Sequence, residues 1–282
     1  MNGSNLKEEI LEDLTNKIKI AAKKYGRSPG LATILIGDAE ASKLYIRMKR
    51  ETCKRLGIHF TNVHKSLDSS IENIIEEIQK LNRDDKIDGI LLQLPLPKEF
   101  EMYRDELLKT ILPDKDVDGL SPSNMGYCMM GDETFSAATP KGIMRLLEKD
   151  NIPIEGREVV IINRTTVIGK PLAMMFLKRH GTVTVCHTRT KDLDFHMKRA
   201  DILVSGTSNV NFVTSDKIKD GVVIIDVGIT RNAEGKLCGD VDFEGVKDKC
   251  FAITPVPGGV GPMTIAMLME NTYNTFMRRV GT

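Results

Sequence analysis

Leu31-Ala-Thr-Ile-Leu-Ile36 is an unbroken apolar run closed by Gly37. A strand with one solvated face alternates polar and apolar residues. A run without alternation belongs to a strand buried on both faces, as in a parallel sheet covered by helices. The flanking segments agree. Before it, Leu6, Ile10, Leu14 and Ile18 recur at helical spacing, and the Gly26 to Gly30 segment breaks the pattern. After it, a helix is predicted from about Ala41 to Leu56, stopped by Gly57, then a strand from His59 to Lys65. Ile71, Ile74, Ile75 and Ile78 mark a further helix, and Gly89-Ile-Leu-Leu-Gln-Leu94 a strand closed by Pro95 and Pro97. Glu101 to Ile111 reads as helix and Pro113 to Pro122 as loop. This alternation of strand and helix implies an α/β fold with a parallel sheet.

A second series follows. Helix is predicted from Pro140 to Lys149, strand over Glu158-Val-Val-Ile-Ile162, helix from Gly169 to Arg179, and strand from Val183 to Cys186. A short helix over Lys191 to Arg199, strands at Ile202 to Val204, Val222 to Val227 and Phe251 to Ile253, and a helix from Pro262 to Arg279 complete it. The 282 residues suffice for two ordinary domains. The boundary falls between Gly119 and Pro140.

Composition narrows the function classes. The chain is 41% hydrophobic and 28% charged, with net charge +1. That balance fits a globular protein and gives no broad field for nucleic acid or membrane. No apolar run nears the roughly 20 residues of a membrane span. The N-terminus lacks a basic-then-apolar signal pattern. Cys53, Cys128, Cys186, Cys238 and Cys250 are odd in number and form no CxxC, which points away from disulfides and zinc and toward a reducing cytoplasm. No metal site is expected. The acidic loop Pro113-Asp-Lys-Asp-Val-Asp118-Gly119 lacks the ligand pattern and closing Glu of a calcium loop.

Val159-Val-Ile-Ile-Asn163-Arg164-Thr165-Thr-Val-Ile-Gly169-Lys-Pro171 is strand, turn and helix start. A helix N-terminus offers N–H groups and partial positive charge to phosphate. Only Gly169 of a GxGxxG fingerprint is present, so a purely structural turn stays open. The next strand ends in His187-Thr188-Arg189, where an NAD site usually places Asp or Glu. Two guanidiniums, Arg164 and Arg189, with a hydroxyl suit a 2′-phosphate, so NADP is expected over NAD. In the first half, Ser42, Tyr45 and Lys49 share a helix face, with Leu44 and Met48 marking a neighbouring apolar stripe. A lone Tyr–Lys pair is commonly surface decoration, but Gln93 ends a buried strand, and strand C-termini are where ligands bind in such sheets. Thr254-Pro-Val-Pro-Gly-Gly-Val-Gly-Pro-Met-Thr264 is either a rigid connector or a ligand wall.

Taken together these stretches resemble one family. Ser42-x-x-Tyr45-x-x-x-Lys49, Asp88-Gly-Ile-Leu-Leu-Gln93-Leu-Pro-Leu-Pro97, Pro113 to Gly119, Thr139-Pro140-x-Gly142 and Arg164…Gly169-Lys-Pro171 match it in order. So do Val223-Ile-Ile-Asp-Val-Gly-Ile229, Gly239-Asp-Val241 and Thr254 to Thr264. They resemble the bifunctional methylenetetrahydrofolate dehydrogenase/methenyltetrahydrofolate cyclohydrolases. The chain departs from that pattern at Asn163 and Thr165, where the family usually has Gly and Ser, at Ser208-Asn209-Val210, and at Ala138.

The resemblance implies two α/β domains with a cleft between them. Residues 1–120 would bind tetrahydrofolate, and residues 121–282 would form a Rossmann-like NADP domain whose last helix packs back on the first. It implies NADP-dependent oxidation of 5,10-methylenetetrahydrofolate, then hydrolysis to 10-formyltetrahydrofolate, within one-carbon metabolism and purine biosynthesis. A homodimer is implied, and the chain length leaves no room for the synthetase domain fused in some relatives. Lys49 would shuttle protons, Gln93 orient Lys49, Tyr45 stack on the benzoyl ring, and Asp118 accept hydrogen bonds from the pterin. Asn163, Arg164, Thr165, Gly169, His187, Thr188, Arg189 and Ile229 would bind cofactor. Pro257, Gly258 and Gly259 would bring backbone to the substrate, so a side chain at Gly259 is expected to cost turnover more than stability. The competing readings are another two-domain NADP dehydrogenase, of the shikimate or amino-acid type, and a binding module without turnover.

Overall fold

The structure, a computed structural model, describes residues 1–232 and 234–281. Ala233 and Thr282, the latter the end expected for the second domain, lie outside the described residues. In chain order the elements are α1 (Gly3–Tyr25), β1 (Gly30–Ile36), α2 (Glu40–Leu56), β2 (His59–Lys65), α3 (Ile71–Arg83) and β3 (Gly89–Leu92). A 3-10 turn (Lys98–Tyr103), α4 (Arg104–Thr110), α5 (Pro122–Met129), α6 (Ala138–Lys149), β4 (Glu158–Ile162), α7 (Gly169–Lys178), β5 (Thr182–Cys186) and α8 (Leu193–Arg199) follow. The remainder is β6 (Ile202–Ser205), a second 3-10 turn (Ser215–Lys217), β7 (Val223–Asp226), β8 (Thr230–Arg231), β9 (Leu237–Cys238), α9 (Phe243–Val246), β10 (Ala252–Ile253) and α10 (Val260–Gly281).

These elements form two compact units. The N-terminal unit holds Glu9–Tyr127, Thr134–Ser136 and the chain from Leu268 on. The C-terminal unit holds Met1–Glu8, Cys128–Glu133 and Ala137–Met267. The first and last helices therefore each change unit partway along their length.

The N-terminal unit is built on a three-stranded parallel sheet of order β2-β1-β3. All seven residues of the central strand β1 are buried, as its uniform apolarity requires. The chain leaves β1 to one side for β2 and returns on the other for β3. That reversal opens a crevice at the strands' C-terminal ends. Gly57 ends α2 in a left-handed cap (φ 75°), and the Ser70 hydroxyl accepts the Asn73 N–H at the start of α3 (3.2 Å). The end of α10 is tied to this sheet by fully buried Asp88. Its carboxylate accepts two bonds from Arg27 (2.7 and 2.8 Å), one from the Gly30 N–H (2.9 Å) and one from Arg279 (3.1 Å).

The C-terminal unit carries a five-stranded parallel sheet of order β10-β7-β6-β4-β5. Its inner strands β4, β6 and β7 bury nearly every residue, and Val160, Ile162, Leu203, Ile224, Met197 and Val246 share one core cluster. Here too the order reverses, between β4 and β6. Not foreseen were α5, in a stretch rich in Ser, Pro and Gly, the 3-10 turn at Ser215–Lys217, the one-turn helix α9, and the two-residue antiparallel pairing of β8 with β9.

Candidate functional site

Lys49 lies on the inner stripe of α2. Ser42, Ile46, Cys53 and Leu56 are buried at i, i+4, i+11 and i+14, and Lys49 occupies the i+7 position between them, 7% exposed. Leu44 and Met48, expected as an apolar stripe, are instead 50% and 39% exposed and flank Tyr45 on the open side. The buried stripe includes a serine and a lysine, so apolar identity alone does not mark the inner face.

A buried ammonium needs a partner. Lys49 Nζ donates to Gln93 Oε1 (2.9 Å). Gln93 follows β3, and its Nε2 donates to the Leu94 carbonyl (2.7 Å), which sets the amide with its oxygen toward the lysine. Burial lowers the Lys49 pKa below the ordinary lysine range, opposed by the charge of Asp118 and, more weakly, by Cys53. Burial pushes Asp118 up to about 6, with Lys49 acting against the shift and Asp116 adding to it. The two groups thus move toward each other, the amine becoming easier to neutralise and the carboxyl harder to ionise. The same burial raises the Cys53 thiol to about 12, which leaves it protonated and inert.

The loop carrying Asp118 is held by groups that sequence reading did not single out. Buried Lys115 donates to the Leu81 and Asp84 carbonyls (3.0 and 2.8 Å), a cation at the C-terminal end of α3. Asp116 accepts from the Gly119 and Ser121 N–H groups (3.0 and 2.7 Å) and from Asn124 Nδ2 (3.0 Å). Asn271, buried on α10, donates to the Val117 carbonyl (2.9 Å). The signal for Asn271 was a polar side chain just beyond the apolar run Ile265 to Met269 of the last helix, which also carries Asn274.

In the C-terminal unit the turn between β4 and α7 is closed by Asn163. Its Oδ1 accepts from the Thr165 N–H (2.9 Å), the Thr165 hydroxyl (2.8 Å) and the Gly169 N–H (3.1 Å), while Nδ2 donates to the Gly206 carbonyl (2.8 Å). Some of the N–H groups expected to be open to phosphate are therefore already used within the turn, including that of Ile168 to the Thr165 hydroxyl (3.2 Å). Asn163 shapes the turn. Arg164 and Arg189 are exposed, and neither has an ion-pair partner among the described residues. His187 Nδ1 accepts the Arg189 N–H (3.1 Å), which puts a neutral ring's proton on Nε2. Thr188 and Ile229 are exposed.

The Pro257-Gly258-Gly259 segment is packed within its own unit. The Gly258 carbonyl accepts the Ser4 N–H (3.0 Å), and Gly258 has φ 106°. A Cβ at Gly259 would stand 2.5 Å from the Pro255 carbonyl oxygen and 2.8 Å from Thr254 Cβ. A side chain there therefore carries a stability cost of its own, because the space is filled by the chain's own backbone. Among the described residues no group of three or more His, Cys, Asp and Glu could hold a metal, and no helix is long and apolar enough to cross a membrane.

The family comparisons agree with both halves of this arrangement. Residues 1–118 match the catalytic domain of tetrahydrofolate dehydrogenase/cyclohydrolase, and residues 137–280 match its NAD(P)-binding domain. The bifunctional protein FolD of Bacillus subtilis (strain 168) is 45% identical over 280 residues, covering 99% of this chain and 97% of that protein. The crystal structure of the bifunctional enzyme FolD from Campylobacter jejuni superposes with TM-score 0.96 at 43% identity, covering 99% of this chain and 98% of that one. The Trypanosoma brucei N5,N10-methylenetetrahydrofolate dehydrogenase-cyclohydrolase, solved with NADP cofactor and an inhibitor, gives TM-score 0.94 at 32% identity, covering 100% and 98%. This chain belongs to the tetrahydrofolate dehydrogenase/cyclohydrolase family.

Proposed function

We propose that this protein oxidises 5,10-methylenetetrahydrofolate to the 5,10-methenyl cation with NADP, then hydrolyses that cation to 10-formyltetrahydrofolate. The observation that carries the assignment is the buried Lys49–Gln93 pair coupled to Asp118 at the crevice of the β2-β1-β3 sheet. A lysine held in a dry site with a lowered pKa has a use in moving protons that a surface lysine lacks.

The residues of the C-terminal unit fit NADP. Uncompensated Arg164 and Arg189, with Thr188, follow the ends of β4 and β5, and no carboxylate stands at the β5 end to claim a ribose hydroxyl. His187 and Ile229 complete the set, while Asn163, Thr165 and Gly169 hold the turn in shape. When bound, NADP supplies the hydride acceptor. For that step the protein chiefly has to hold two ring systems in register, since the folate's own bridging nitrogens stabilise the cation that forms.

Folate is held by the N-terminal unit. Ionised Asp118 accepts from the pterin's amino and ring N–H groups. Tyr45, with exposed Leu44 and Met48 beside it, offers an apolar face to the benzoyl ring. In hydrolysis, water adds to the methenyl carbon and neutral Lys49 takes its proton; the ammonium returns that proton to N5 as the C–N5 bond breaks, and the hydroxyl loses its remaining proton as the formyl carbonyl forms. One proton is released overall. Gln93 keeps Lys49 aimed by accepting from it.

A homodimer is part of this reading. The free edge β5, with Val185 exposed, and exposed Phe195 on α8 are the surface it would use. The free thiols at Cys53, Cys128, Cys186, Cys238 and Cys250 suit a reducing cytoplasm. The test is an absorbance assay of purified protein with methylenetetrahydrofolate and either NADP or NAD, alongside methenyl hydrolysis. NADP should be preferred, and Arg164→Ala or Arg189→Ala should raise the NADP KM about tenfold or more while leaving NAD nearly unchanged. Absence of both cofactor reduction and hydrolysis refutes the assignment, and sedimentation as a monomer refutes the dimer.

A further inference from the structure

Two carboxylates behind the C-terminal ends of β6 and β7 have no part in the roles above. Asp240 is fully buried and Asp226 nearly so. Asp240 Oδ2 accepts from the Ser205 hydroxyl (2.8 Å) and the Thr207 N–H (2.5 Å), and its Oδ1 from the Asn209 N–H (3.1 Å). Asp226 Oδ1 accepts from the Gly228 and Asp240 N–H groups (2.9 and 3.0 Å), and its Oδ2 from the Val241 N–H (3.0 Å). The Asp226 N–H in turn donates to the Thr254 hydroxyl (2.8 Å). The fit is tight: a Cβ on Gly228 would run into Asp240 Oδ1, and one on Gly239 into Asp226 Oδ2.

The location matters more than the number of bonds. The sheet order reverses between β4 and β6, so the loop leaving β6 borders the crevice where an open α/β sheet takes its ligand. Two of the three Asp240 donors, Thr207 and Asn209, are main-chain groups of that loop. On its other side the loop is tied to the β4–α7 turn through Asn163 and the Gly206 carbonyl. Asp226 performs the same service for the segment leading to Ile229. One hydrogen-bonded chain thus joins the turn at residues 163–169, the loop at residues 206–209, the end of β7 and Thr254.

We infer that Asp240 is a positioning residue for the cofactor: it touches no ligand, and by accepting from Ser205, Thr207 and Asn209 it holds the loop after β6 in the shape that receives the dinucleotide. This rests on the NADP reading above. A buried carboxylate suits the task because it accepts on both oxygens from donors fixed in the main chain. An asparagine of the same shape accepts on one oxygen only. It turns an NH2 toward a main-chain N–H, donor against donor.

The test uses the full chain with Asp240→Asn and Ser205→Ala. Four quantities are measured: the NADPH dissociation constant by fluorescence titration, the NADP KM and the kcat of the dehydrogenase, and the rate of cofactor-free hydrolysis of methenyltetrahydrofolate. Asp240→Asn should raise the dissociation constant and KM about tenfold, and Ser205→Ala about two- to threefold, with kcat and hydrolysis within about twofold of the parent. A merely structural role would lower hydrolysis and dehydrogenation in the same proportion, and that outcome overturns the inference. So do unchanged cofactor constants in both variants. If Asp240→Asn does not fold, Ser205→Ala decides by the same readings. A parent protein that neither binds NADPH nor reduces NADP defeats the NADP reading itself, which is a different result from normal parent binding with silent variants.

Discussion

Replacing Gln93 with leucine tests the proton-transfer assignment more sharply than deleting the lysine does. Gln93 Oε1 accepts from Lys49 Nζ at 2.9 Å, and the lysine is 7% exposed, so little water can replace the lost acceptor. A hydrogen bond to a charged group is worth about 1.5–3 kcal/mol. That amount now disfavours the ammonium form relative to the amine. At 1.36 kcal/mol per pH unit, the Lys49 pKa should fall by about one to two units further below its already lowered position. Hydrolysis needs the amine, so its rate rises with pH through the lysine pKa. In Gln93→Leu that rise should move to lower pH by about one to two units, while the maximum rate drops because the amine is less well aimed. Gln93→Glu reverses the sign, since a carboxylate favours the ammonium and moves the rise to higher pH. The assay is the initial rate of methenyltetrahydrofolate hydrolysis across pH, with the uncatalysed rate subtracted. A profile that stays put in both variants, or moves the same way in both, refutes Lys49 as the base.

Asp118 makes a second pH-dependent prediction. Burial holds its pKa at about 6, and the ionised form binds the pterin, so kcat/KM for folate should fall as pH drops through about 6. Asp118→Ala should raise the folate KM at every pH and leave the NADPH dissociation constant unchanged; equal loss of both indicates a folding defect. Gly259→Ala should lower the melting temperature by an amount corresponding to about 1–3 kcal/mol of overpacking, with near-normal kcat per folded molecule, and a normal melt contradicts the packing argument. Asp88→Ala leaves Arg27 and Arg279 without their buried acceptor. Urea denaturation should show a loss of about 3–5 kcal/mol, and an unshifted midpoint counts against the clamp.

Local regularities were legible from the chain. The strand at Leu31 to Ile36, the strand-turn-helix at Glu158 to Lys178 and the long final helix fall within a few residues of their observed limits, because each rests on uniform apolarity or helical period. α5 was hidden because Ser121-Pro-Ser-Asn has the composition of a loop, although proline is well accepted in a helix's first turn. Within the site, Ser42 and Lys49 could be placed on one helix face, but nothing local showed that this face is the buried one while the apolar stripe at Leu44 and Met48 is exposed. Only packing reveals that a serine and a lysine line the inside. The supports of Asp118 were out of reach for a different reason. Asn271 meets Val117 across 154 residues of chain, a pairing with no local pattern to announce it.

Both terminal helices pass from one unit into the other, and this bears on how the protein can be made and dissected. The N-terminal unit needs the turns from Leu268 onward, including the Arg279 that grips Asp88, and the C-terminal unit needs Met1–Glu8. During synthesis the segment Glu9–Tyr127 emerges well before α10, so it depends on a partner synthesised more than a hundred residues later. Cutting between residues 120 and 137 would give fragments that each lack a piece of their own core. Isolated halves should therefore be poor vehicles for separate study of folate and nucleotide binding. A circular permutant that keeps both helices intact would be the sounder starting point.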